Sequence, residues 1–180
     1  ASSTGTNTLL SLAGVTKITI DADDNTAANN DYQALTISNG YTGTADALEI
    51  AINSDATNGM NGTEGLITAG GVEALTISAT GGEAVQMGGF TSNTLSSVTV
   101  TASGDFAVTD TMTLGTLTGG TKTITSFDSS AADVVVNTTV ASLGDNATVT
   151  GLLHNGSLAQ YDDLISNDPT LGAADTIYGN

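Results

Sequence analysis

The sequence predicts an all-β chain, and within that class a right-handed parallel β-solenoid (a β-helix) followed by a short helix near the C-terminus. Three observations carry this expectation. A three-residue unit of apolar, Thr, apolar recurs along the 180 residues. Asn-Gly and Gly-Gly pairs separate its copies, and both accept positive φ at low cost. The apolar positions are filled by Val, Ile, Leu and Ala, with no Trp and few aromatics, which suits a thin, regularly stacked interior. A β-sandwich is the alternative, because alternating strands with glycine corners at this spacing also fit it.

The unit appears as Ile18-Thr19-Ile20, Leu35-Thr36-Ile37, Leu75-Thr76-Ile77, Val98-Thr99-Val100 and, inverted, Thr123-Ile124-Thr125. Alternation of period two turns the apolar pair to one face of a strand and Thr to the other. Between the copies stand Asn39-Gly40, Asn58-Gly59, Asn61-Gly62, Gly81-Gly82, Gly88-Gly89 and Gly119-Gly120, all read as turns. Secondary strands are predicted at Leu48 to Ile52, Phe106-Ala107-Val108, Met112-Thr113-Leu114, Val134-Val135-Val136 and Thr148-Val149-Thr150. The later spacings fall in the range of about 20–30 residues expected of one coil. The earlier ones are less regular, and Ala51–Gly70 reads as an insertion.

Ser157 to Asn167 departs from this pattern. Leu158, Tyr161, Leu164 and Ile165 follow helical spacing, Ser157 with Gln160 forms a capping box, and Asn167-Asp168-Pro169 stops the helix. The domain reading is therefore a stacked-strand β domain over 1–156 and a helix with the start of a turn-rich segment over 157–180.

Charge sets the chemistry. Two basic residues, Lys17 and Lys122, stand against 19 acidic ones, for a net charge of -17. Nucleic acid and anionic membrane surfaces are excluded as partners, since both need Lys/Arg clusters. No apolar run is long enough to span a bilayer. Such a chain resists compaction unless cations screen it, and its Asp, Glu, Asn and backbone oxygens suit hard Ca²⁺. The densest acidic cluster, Asp21, Asp23, Asp24 and Asn25 with Asp31 shortly after, is the first candidate calcium site. It is not an EF-hand, as it lacks the central Gly and the Glu at the twelfth position. The absence of Cys excludes disulfides and thiolate metal sites.

Catalysis finds little support, and no enzymatic activity is expected. His154 is the single histidine, beside Asn155-Gly156, and nothing marks a nucleophile elbow. Lyases that work on acidic sugars on parallel β-helices use Lys or Arg, which are scarce here, and an acidic surface repels uronates.

Gly172-Ala173-Ala174-Asp175-Thr176-Ile177-Tyr178-Gly179-Asn180 resembles one degenerate turn of the RTX nonapeptide repeat. Gly71 to Ile77, Ser97 to Thr101 and Thr123 to Ser130 are similar to segments of bacterial surface-layer proteins of the RTX type. The resemblance covers the middle and last third of the chain and is compositional elsewhere. It implies type I secretion, a Gram-negative cell surface, a calcium-binding β-solenoid and self-assembly into an array. Asp128 and Asp175 are the matching positions for calcium. Both chain ends, Ala1 to Thr8 and the final Gly-Asn, read as cuts inside a longer polypeptide.

The expected function is thus a structural surface-layer (S-layer) subunit, extracellular, with calcium as cofactor and further copies of itself as partner in a lattice or fibre. The alternative is a calcium-stabilised adhesin or biofilm matrix domain, with cell-surface polysaccharide as partner.

Overall fold

The computed structural model describes residues 7–10, 15–22, 34–38, 40–54, 60, 64–106, 111–120, 124–132, 134–140, 143–150 and 176–178. Among the described residues fourteen strands form and there is no helix. In chain order they are β1 (Asn7–Leu10), β2 (Lys17–Asp21), β3 (Leu35–Ser38), β4 (Ala47–Asn53), β5 (Ile67–Ala69), β6 (Ala74–Gly81) and β7 (Val85–Gln86). They continue as β8 (Gly89–Thr91), β9 (Ser97–Gly104), β10 (Thr111–Thr118), β11 (Ile124–Ala132), β12 (Val135–Val140), β13 (Leu143–Thr150) and β14 (Thr176–Tyr178).

These make two seven-stranded sheets. Sheet A runs β1-β3-β5-β8-β10-β12, with β7 also on β10; sheet B runs β14-β13-β11-β9-β6-β4-β2. From β1 to β6 the chain alternates strictly between the sheets, advancing one strand at each crossing. Every described ladder is parallel, as in Leu48↔Leu75 and Leu75↔Val98. The antiparallel pairing on which the sandwich alternative depends does not occur among the described strands.

Period-two patterning explains the layers. In β6 the burial alternates without a break from Ala74 to Ala79, with Leu75, Ile77 and Ala79 inside and Thr76 and Ser78 half-buried on the outer face. Register then converts each inward position into a column. Leu48, Leu75, Val98, Phe127 and Val149 stand side by side across sheet B, and all are buried. Ile50, Ile77 and Val100 form the next column. Sheet A supplies Ile37, Ile67, Phe90, Met112, Leu114 and Leu117 to the same core. Met60, Met87 and Met112, all three methionines of the chain, are buried, as flexible side chains that fill irregular gaps. Each buried Val, Ile or Leu contributes roughly 1.5–3 kcal/mol.

Four sequence expectations are corrected. Ala51–Gly70 is not simply an insertion: it holds the end of β4, and Ile67-Thr68-Ala69 is a rung of sheet A between β3 and β8. Gly88-Gly89 is not a turn. It divides β7 from β8, both of which pair with β10, and it lies against a kink at Gly115 (φ 64°). A Cβ on Gly115 would stand 2.8 Å from backbone atoms of Gly88 and Gly89, so the chains meet backbone to backbone there. Phe106, predicted as the start of a strand, lies beyond the end of β9, half-buried against the core. Asn7–Leu10, where no strand is predicted from sequence, is a strand paired with β3.

The helix predicted over Ser157 to Asn167, and His154, lie outside the described residues. β14, from the RTX-like segment, joins sheet B beside β13 with Ile177 in register with Val149.

Candidate functional site

The connections from sheet A to sheet B build one side of the molecule. Residues 40–46 link β3 to β4, residues 70–73 link β5 to β6, and residues 92–96 link β8 to β9. They stack as regularly as the strands. Glu73 N donates to Asp46 O at 2.9 Å, and Ser96 N donates to Glu73 O at 2.8 Å. Gly71 N donates to Asn93 Oδ1 at 3.0 Å, while Ser92 Oγ and Thr94 Oγ1 both donate to Val72 O, at 2.7 and 3.1 Å. Side chains tie the first two links as well: Asp46 N donates to Glu73 Oε2 at 2.7 Å, and Gly43 N donates to Asp46 Oδ2 at 2.6 Å.

These links enclose a surface groove of about 540 Å³, with Thr36, Tyr41, Thr68, Glu73, Asn93 and Thr94 among its lining residues. That volume is within the range of small-ligand sites, about 300–1,000 Å³. Two of the lining residues belong to a longer feature. Thr8, Thr36, Thr68, Thr91 and Thr118 occupy one register position on five consecutive strands of sheet A. Neighbouring threonines in such a ladder are about 4.7–4.9 Å apart, and Thr36, Thr68, Thr91 and Thr118 are half-buried on the outer face.

Tyr41 is the unusual member. Its side chain is only 8% exposed, and its hydroxyl is sealed from solvent without a hydrogen-bond partner. Burial raises its phenol above the ordinary value, and the Asp46 carboxylate nearby adds to the rise. The phenol is therefore a protonated donor throughout the neutral range. Among the described residues the groove carries one carboxylate, Glu73, and no Lys, Arg or His lines it.

Of the calcium candidates predicted from sequence, Asp21 and Asp128 are among the described residues, and they stand apart. Asp21 ends β2, and its Oδ1 accepts from Asn53 Nδ2 at 2.7 Å across the β2–β4 ladder. Asp128 lies in β11, flanked in register by Thr99 and Thr150, and its Oδ1 accepts from Ser130 N at 2.9 Å. Four strand steps separate β2 from β11 in sheet B, roughly 19 Å, so these two carboxylates do not share an ion. Asp23, Asp24, Asn25, Asp31 and Asp175 lie outside the described residues. Among the described residues no three acidic, His or Cys side chains form a metal-binding group.

One ion pair uses the scarce positive charge. Lys17 Nζ lies 3.0 Å from Glu49 Oε1, and Ser78 Oγ donates to the same oxygen at 2.8 Å. The Ser78 hydrogen bond, followed by the Lys17 one, holds the Glu49 carboxyl below its usual value.

Sequence reasoning missed Tyr41, Glu73 and Asn93 as a group. Glu73 and Asn93 stand shortly before the units Leu75-Thr76-Ile77 and Val98-Thr99-Val100, and Tyr41 before Leu48. A period-two reading treats such approach segments only as corners. Comparisons with protein-family profiles, with curated proteins and with solved structures return no match.

Proposed function

We propose that this chain is a structural subunit of an extracellular, calcium-dependent array of the RTX surface-layer kind, built as a right-handed parallel β-solenoid. The observation that carries the reading is the union of two facts. From β1 to β6 the chain alternates between two parallel sheets one strand at a time, and the whole sequence carries 19 acidic side chains against two basic ones. A stack of that kind grows along one axis, and its terminal strands offer edges for the next copy. Its acidic surfaces repel one another until divalent cations bridge them. Asp21, Asp23, Asp24, Asn25, Asp31, Asp128 and Asp175 are the residues assigned to calcium in this reading.

Extracellular calcium modules bind at about 10⁻⁴–10⁻³ M, so the sites fill outside the cell and stay empty during export. Electron microscopy of the purified protein in millimolar calcium and in EDTA tests the proposal. Ordered sheets or fibres in calcium that disperse in EDTA support it. Monomers in both conditions, or assemblies indifferent to EDTA, refute it.

A further inference from the structure

We propose that the groove over Thr36, Tyr41, Thr68, Gly70, Glu73 and Asn93 is a binding subsite for a neutral sugar residue. The inference does not depend on the array reading, because it rests on the groove's own chemistry.

Charge narrows the ligand first. Among the described residues the groove presents the Glu73 carboxylate and no basic side chain, on a chain of net charge -17. Phosphate, sulfate or a uronate would meet like charge without a counterion. A metal ion fits poorly too. Glu73 Oε2 already accepts from Asp46 N, and Asn93 Oδ1 from Gly71 N. The described residues bring no cluster of carboxylates there. A purely apolar ligand would strand Glu73, Asn93 and the threonine hydroxyls against it.

A hydroxyl-rich neutral ligand satisfies what remains. Sugar hydroxyls both donate and accept, which matches Thr36 and Thr68 from adjacent rungs, the second oxygen of Glu73 and the Asn93 amide. The independent sign of a missing partner is Tyr41, more than nine-tenths buried at the groove with an unpaired hydroxyl. Leaving such a group unpaired carries its full desolvation cost. The hydroxyl is sealed from solvent, so a ligand oxygen pairs with it only once the ring turns out into the groove. Gly70 leaves the backbone open to close approach: a Cβ there would meet nothing nearer than Asn93 Oδ1 at 3.6 Å.

Gly70 also supplies the test. A longer side chain at that position grows toward Asn93 across the groove without straining the backbone. The purified protein would be titrated calorimetrically, without added calcium, with neutral trisaccharides of glucose, mannose and galactose, and with trigalacturonate. At least one neutral trisaccharide is expected to bind with a dissociation constant of about 1 mM or tighter, and trigalacturonate at least tenfold more weakly. Gly70→Gln is expected to lose tenfold or more, and Thr68→Val and Tyr41→Phe several-fold. Thr99→Ala, on sheet B, is expected to bind as the parent does. Circular dichroism checks that each variant is folded, and Thr68→Val, nearly isosteric, keeps the test alive if Gly70→Gln fails to fold. Failure of every neutral trisaccharide to bind overturns the proposal. So does binding that survives both Gly70→Gln and Thr68→Val, or a preference for trigalacturonate. Comparing the binding trisaccharide with a long polymer of the same sugar separates two sources. Equal affinity indicates a free oligosaccharide, and tighter retention on the polymer indicates a surface polysaccharide. Dispersed monomers in calcium that still bind sugar would sink the array reading and leave this one standing.

Discussion

Gly104 pairs in register with Gly81, and a Cβ built on Gly104 would lie 2.0 Å from the Gly81 carbonyl oxygen. Both residues have φ in the left-handed region, 139° and 136°. The corner after β6 and the corner after β9 therefore nest backbone on backbone, which no side chain permits.

Gly104→Ala is expected to destabilise the fold by about 2–4 kcal/mol, through strained φ and the clash together. Gly70→Ala, in a corner where φ is ordinary and a Cβ finds only van der Waals contact, should change stability by no more than about 0.5 kcal/mol. Urea denaturation of the two variants measures the contrast. Equal losses would show that the corners tolerate side chains indiscriminately.

The columns of the core predict a second contrast. Phe127 is fully buried between Val98 and Val149 in register, and Phe127→Ala should cost about 3–5 kcal/mol. Thr99, exposed on the opposite face of the same sheet between Thr76 and Asp128, should tolerate Ala within about 0.5 kcal/mol. Chemical denaturation midpoints check both.

Glu49 gives a pH dependence. Its folded carboxyl lies below the 4.5 of the free group, chiefly because Ser78 and then Lys17 hydrogen-bond the ionised form. A depressed carboxyl adds stability that is fully present above the unfolded value and is lost as pH falls through the folded one. The stability gap between the parent and Glu49→Gln should therefore hold above about pH 4.5 and close below it. Ser78→Ala and Lys17→Met should each reduce the gap. Thermal melts across an acid series measure this, and a gap independent of pH would contradict it.

Tyr41 titrates in the other direction. Its phenol is raised above 10.0 by burial and by Asp46, so the fold loses stability as pH rises from 10.0 towards the folded value, where the buried phenol must ionise. Tyr41→Phe removes a hydroxyl that has no partner. It should leave the ligand-free protein unchanged or more stable by about 1 kcal/mol at neutral pH. It should also remove the alkaline loss seen in the parent. A drop in stability at neutral pH would mean that the hydroxyl is bonded after all.

Much of the strand layout was legible because period-two alternation is a local property. Ile18-Thr19-Ile20, Leu75-Thr76-Ile77 and Val98-Thr99-Val100 each fall within a strand with the predicted faces. The rung at Ile67-Thr68-Ala69 was hidden because it has three residues and Ala in place of a larger apolar side chain. Gly88-Gly89 misled because positive φ serves a kink within a rung as readily as a turn between rungs. The groove was illegible for a different reason. Thr36, Glu73 and Asn93 come from three separate passes of the chain, and residues 20 or more apart carry no mark of the register that joins them.

Alternating side chains, glycine corners and the surplus of acid follow from composition and order alone, and they determined an all-β chain with one apolar face per strand. Which strand lies beside which is not written in any one segment. Parallel pairing across two sheets decided it, when each crossing set Thr36 beside Thr68, Thr68 beside Thr91, and Gly104 on Gly81. The physical reason is that burial of a face depends on a residue's neighbours one place away, whereas a ladder or a groove depends on the register between distant rungs, which core packing and corner geometry fix together.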